Sequence, residues 1–159
     1  MAVEVLEHMT FEMHNVLSYR GKMTQQELVE KSREMEEIIQ KSGAEKNGGA
    51  VTTTFSVEQG PNGAILDMEI LIPLNHEIQV PPGYAWKPDF LLTNALLVKH
   101  VGNPAGLQEC IQELNQFILE HGLVPISTGY NVTVREAKTP LELDSMEVDI
   151  YVSVSPNKL

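Results

Sequence analysis

Two glutamates stand in similar short contexts, Asp67-Met68-Glu69-Ile70 and Ser145-Met146-Glu147-Val148. Strands alternate their faces, so Glu69 should share a face with Asp67 and Leu71, and Glu147 with Asp149, Tyr151 and Ser153. A carboxylate held beside aromatic rings suits an organic cation, through its charge and the negative faces of the rings. Partly desolvated, it would also have a raised pKa and could exchange protons with a bound molecule. The aromatic side chains that could complete such a binding site are Phe55, Tyr84, Trp86, Tyr130 and Tyr151. The competing reading of each glutamate is an ordinary acidic residue on a solvated sheet face.

Other chemistry finds little support. None of His8, His14, His76, His100 and His121 lies three or four positions from another, so no helical metal pair exists and no metal site is assigned. There is no Gly-x-Ser-x-Gly elbow and no phosphate-binding Gly-x-x-x-x-Gly-Lys loop. Cys110 falls beside a buried helical stripe and reads as a packed thiol. No cofactor is implied, and no catalytic residue is assigned.

The elements that must position these residues come in two similar series. Val16-Leu17-Ser18-Tyr19-Arg20-Gly21 and Leu97-Val98-Lys99-His100-Val101-Gly102 are apolar strands ending in glycine. Thr24-Gln25-Gln26-Glu27 is a capping box, and Asn103-Pro104 is the matching helix start. The helical stripes Leu28, Ser32, Met35, Ile39 and Leu107, Ile111, Leu114, Ile118 share one spacing. Gly43 and Gly122 stop the two helices. Strands over about 50–58 and 64–74, joined by Gln59-Gly60-Pro61-Asn62-Gly63, correspond to strands over about 126–136 and 145–155. The last strands align Met68 with Met146, which makes Glu69 and Glu147 equivalent. The expected fold is α+β, a single domain of tandem duplicated β-α-β-β units, about 11–75 and 90–155. They form an antiparallel sheet with two helices on one face and a cleft on the other. An ordered proline- and aromatic-rich loop, 76–89, joins the repeats.

The chain has 159 residues, 42% of them hydrophobic, and a formal net charge of -11. That charge repels nucleic-acid phosphates and anionic membrane surfaces, so neither is an expected partner. It permits a cationic small molecule or a basic protein. No run is long enough to span a membrane, and the segment from Met1 to Met9 lacks a leader pattern, which points to the cytoplasm. The single cysteine cannot form an internal disulfide. An exposed sheet edge offers a route to a homodimer.

Taken together, these residues resemble the GyrI-like effector-binding superfamily of small-molecule-binding domains. The likeness covers about residues 11–155. It rests on Pro82-Gly83-Tyr84-Ala85, on His100-Val101-Gly102-Asn103-Pro104, and on Leu107, Leu114, Phe117, Ile118, Gly122 and Tyr130. Met146-Glu147-Val148-Asp149-Ile150-Tyr151-Val152 closes it. The resemblance implies two helices behind a sheet and a cleft in front, where acidic and aromatic residues hold hydrophobic, often cationic, compounds. It assigns Glu147 and Tyr130 to that cleft, with Glu69 as symmetry mate. The chain departs from the pattern at Tyr151-Val152-Ser153, where a proline is usual, and at Thr128-Gly129-Tyr130, where a glutamate usually precedes the tyrosine. With no room for a helix-turn-helix outside the repeats, a direct transcription factor is not expected. A more distant resemblance is to Gram-positive proteins encoded beside LXG-type toxins. Three readings follow: a non-catalytic binder of a small hydrophobic or cationic molecule in the cleft between the repeats; a protein-interaction or immunity-type module capping a basic partner; and, third, a Glu/Tyr-dependent hydrolase.

Overall fold

The computed structural model describes residues 4–136 and 139–157. Residues 1–3, 137–138 and 158–159 lie outside the described residues, and with them the start of the N-terminal segment and part of the polar loop before Pro140. The chain is α+β. Its elements are β1 (Val5–Met23), α1 (Gln25–Ser42), β2 (Val51–Gly60), β3 (Gly63–Pro73), β4 (Ala85–Val101), α2 (Leu107–Glu120), β5 (Tyr130–Arg135) and β6 (Glu147–Ser153). It divides into two compact units, a first of Met13–Phe90 and a second of Met1–Glu12 with Leu91–Leu159.

In the first unit the capping box forms as its sequence requires. The Thr24 hydroxyl accepts from the Glu27 amide at 3.2 Å, and the Glu27 carboxylate accepts from the Thr24 amide at 3.1 Å. Gly43 ends α1 in the left-handed region, φ 80°, where a side chain would be strained. Met35 and Ile39 of α1 pack with Leu17, Met68, Ile70, Ile72 and Leu74 in one buried cluster. Each such side chain removed from water contributes about 1.5–3 kcal/mol. β3 is central, with β1 and β2 antiparallel on its flanks. Gly60 faces Gly63 across the two-residue turn Pro61-Asn62.

The second unit has its own helix and three strands, with different chemistry at the helix start. Asn103 accepts from the Ala105 amide at 3.0 Å, but it caps a 3-10 turn, Pro104–Gly106. α2 itself begins at Leu107 with no side-chain cap. Cys110, Leu114 and Ile118 pack with Leu96, Val98, Val148, Ile150, Val152 and Val154. β6 is central, flanked antiparallel by β4 and β5.

Three expectations change. β1 starts at Val5, before the expected Val16. β4 starts at Ala85, so the expected 76–89 loop ends early: Trp86 packs against the first core, and the chain from there alternates as a strand. β5 starts at Tyr130 and not near Ile126, because the Ser127 hydroxyl takes the Ser153 amide at 2.9 Å in place of a backbone ladder bond.

The register corrects the equivalence of Glu69 and Glu147. Val51 faces Leu71 and Thr53 faces Glu69, with a bulge at the skipped Phe55. Tyr130 faces Tyr151 and Val132 faces Asp149, with a bulge at the skipped Val134. The central strands therefore correspond at an offset of 151 − 71 = 80, not 78. Asp149 is the register counterpart of Glu69, and Asp67 that of Glu147. On the neighbouring strands, Gly21 faces Met68 and His100 faces Val148, so Gly21 corresponds to His100 and not to Gly102.

Candidate ligand-binding faces

In each unit the face turned away from the helix carries a carboxylate on the central strand. In the first unit it is Glu69, only 6% exposed. Strand alternation puts Ser18 and Thr53, both buried, on the same side. The Ser18 hydroxyl donates to Glu69 Oε2 at 2.6 Å, and the Lys87 ammonium donates to the same oxygen at 2.5 Å. Lys87 follows Trp86 in β4, so Trp86 packs with the helix-side core while Lys87 reaches the other face.

Tyr84 and Phe55, the other expected first-unit aromatics, have partners of their own. Tyr84 lies on the helix side, where its ring packs on Tyr19 at 5.5 Å and its hydroxyl donates to Glu34 of α1 at 2.6 Å. The Lys31 ammonium sits over the Tyr19 ring at 4.4 Å and pairs with Glu34 at 3.1 Å. The Tyr84 hydroxyl and the Lys31 ammonium hold the Glu34 carboxyl below its usual range. Burial, then Glu34, pushes the Tyr84 hydroxyl well above its usual range. Phe55, at the bulge, is covered by the Arg20 guanidinium 3.8 Å from its ring centre, and Arg20 also pairs with Asp67.

In the second unit Asp149 is half-buried on the central strand, opposite Lys99 on one side and Val132 on the other. Burial pushes its carboxyl above the usual range; Lys99 opposes that shift and Glu147 adds to it. Two positions along, buried Tyr151 faces Tyr130 across the ladder and packs its ring on Phe11 at 4.9 Å. Burial, then Asp149, pushes the Tyr151 hydroxyl up. The unit thus brings Tyr130 and Tyr151 together with Asp149. Glu147 starts the strand opposite Val101 and Arg135, four ladder positions from Tyr130's partner. That is roughly 13 Å along the strand, a separation that does not favour Glu147 and Tyr130 acting on one substrate atom.

Ser18, Lys87 and Phe11 belong to no motif in the sequence, and Asp149 shares the face of Glu147 by strand alternation. Ser18 between Leu17 and Tyr19, and Lys87 after Trp86, carry the signal of strand alternation. Cys110 is buried in the second core, and its thiol donates to His100 Nδ1 at 3.3 Å while His100 Nε2 donates to the Asn103 carbonyl at 2.9 Å. Burial pushes that thiol pKa up, which keeps it protonated. Among the described residues, no three His, Cys, Asp or Glu side chains are grouped to hold a metal ion, and no helix is long and apolar enough to cross a membrane.

No protein-family model matches the chain, and no curated protein sequence matches it. Solved structures do. The chain superimposes on the EcmrR C-terminal domain with a TM-score of 0.73 at 13% identity, over 98% of this chain and 99% of that one. It shares that domain's fold. EcmrR in its complex with DNA matches with a TM-score of 0.74 at 15% identity, and there the chain spans 58% of the longer protein. SAV2435 bound to tetraphenylphosphonium matches at 0.54 and 10% identity, over 98% and 95% of the two chains. A hydrolase from Listeria innocua matches at 0.58 and 14%, over 96% and 91%. The EcmrR domain and SAV2435 have the GyrI-like effector-binding fold, the fold that the sequence resemblance implied. At these identities the likeness is one of architecture, and function must be argued from the side chains.

Proposed function

We propose that this chain is a non-catalytic binder of small hydrophobic molecules, built as a duplicated GyrI-like domain. The observation that carries the reading is Asp149, a half-buried carboxylate on the strand face turned away from the helix. Among the described residues it has no counterpart of the Ser18 and Lys87 partners that satisfy Glu69 at the matching register position. Burying an acid costs free energy, and nothing in either helix-side core requires one there. In the second unit Tyr151, Tyr130 and Phe11 add aromatic surface beside the acid, as an apolar ligand needs. The phosphonium bound by SAV2435, a protein of the same fold, supports a lipophilic compound as the ligand class.

The emission of Tyr130 and Tyr151, which face each other on the candidate face, provides a signal for the test. Titration with tetraphenylphosphonium and a panel of uncharged aromatic compounds is expected to give a saturable change. Tyr151→Ala should weaken binding about tenfold, the scale of one lost ring contact. No saturable binding across the panel, by fluorescence and by calorimetry, would sink the proposal.

The net charge of -11 supports a second reading, an acidic surface that caps a basic protein. Such a complex would weaken steeply with salt, and a salt-insensitive pull-down would count against it.

A further inference from the structure

We propose that Lys87 is a built-in competitor for the Glu69 carboxylate, so that a ligand reaching this face of the first unit meets a neutralised acid and is uncharged at that point. The inference rests on the small-molecule reading above and deepens it. Glu69 is buried, and a buried carboxylate stays charged at tolerable cost only when partners replace its water. Here they do: one oxygen takes both the Ser18 hydroxyl and the Lys87 ammonium. Among the described residues no buried side-chain polar atom lacks a hydrogen-bond partner, so this acid is not left waiting for a ligand's charge.

Lys87 is placed for competition and not only for structure. Its side chain is 36% exposed while that of Glu69 is 8% exposed, so the ammonium occupies the solvent side of the pair, the side from which a ligand's cation would have to approach the acid. The Phe90 ring centre lies 6.0 Å from the same ammonium, all within one unit. Trp86, partly buried against the helix-side core, orients the strand so that its neighbour points to the other face. A side chain tethered in this way acts at a local concentration near the millimolar range or above, against which a free cation must compete. An uncharged molecule has no such competitor and can rest on the apolar stem of Lys87.

The experiment is calorimetric titration of the wild type and Lys87→Met with tetraphenylphosphonium and with its uncharged analogue triphenylphosphine oxide. Lys87→Met is expected to bind the phosphonium about tenfold more tightly than wild type, with the oxide changed by less than about twofold. Lys22→Met, which removes an exposed lysine paired with Glu58, controls for net charge and should leave both affinities unchanged. If Lys87→Met does not fold by circular dichroism, Lys87→Gln replaces it, because its amide can still donate to Glu69 without a charge. An unchanged or weaker phosphonium affinity overturns the competitor, as does an equal gain for both probes or an equal gain in the Lys22 variant. If neither probe binds any of the proteins, the small-molecule reading itself fails and this inference falls with it.

Discussion

Glu69 and Asp149 sit at matching steps of two separate ladders, each on a central strand and each on the face away from a helix. Their surroundings differ. Glu69 is buried and held by a serine and a lysine. Asp149 is half-buried beside an exposed lysine, and burial raises its pKa. One unit has turned its acid into an internal ion pair, while the other keeps its acid poised next to Tyr151. The contrast shows that a ladder sets where a carboxylate stands, and that side chains from neighbouring strands decide whether its charge is available.

The widest test of the comparison lies in the helices. Met35→Ala in the first unit and Leu114→Ala in the second each remove a fully packed side chain. Each should lower stability by about 2–5 kcal/mol in urea denaturation. A loss in only one would show that the two helices are not held in the same way.

The next effect concerns the acids themselves. Lys87→Ala should cost about 1–3 kcal/mol, because it strands a buried carboxylate. Lys99→Ala, an exposed lysine opposite Asp149, should cost under about 0.5 kcal/mol. Equal costs would erase the distinction between a paired acid and a poised one.

Helix starts give a smaller difference. Thr24→Ala breaks a reciprocal capping box and should cost about 1 kcal/mol, while Asn103→Ala touches only a 3-10 turn and should cost about half that. Thermal unfolding of the two variants decides whether the order holds.

The smallest effect is in pH dependence, where the two units should move in opposite directions. Glu34 has a lowered folded-state pKa, so its contribution to stability is present above its ordinary value of 4.5 and is lost as pH falls through the folded value. Asp149 has a raised one, so its contribution is present below its ordinary value of 3.8 and is lost as pH rises through the folded value. Glu34→Gln should therefore lower stability at pH 7 by more than it does under acidic conditions. Asp149→Asn should raise stability at pH 7 and not at pH 3. Urea midpoints at the two pH values would show a reversal of either sign.

The sequence by itself determined the α+β composition, both helices, the Thr24 cap, the Gly43 stop and the apolar rows under each helix. Those features are local, and periodicity reads them directly: Met68, Ile70, Ile72 and Leu74 had to share a face. It also put Glu69 and Asp149 on the opposite faces. Only the tertiary structure decided that these two acids correspond. A slip of two residues leaves every side chain on its own face, so the hydrophobic pattern cannot distinguish Glu147 from Asp149 as the partner of Glu69. Hydrogen bonds between strands, and bulges at Phe55 and Val134, fix that choice. For the same reason Lys87 could not be assigned to Glu69 from sequence. The two are 18 positions apart, and only packing of Trp86 on one face carries the lysine to the acid on the other.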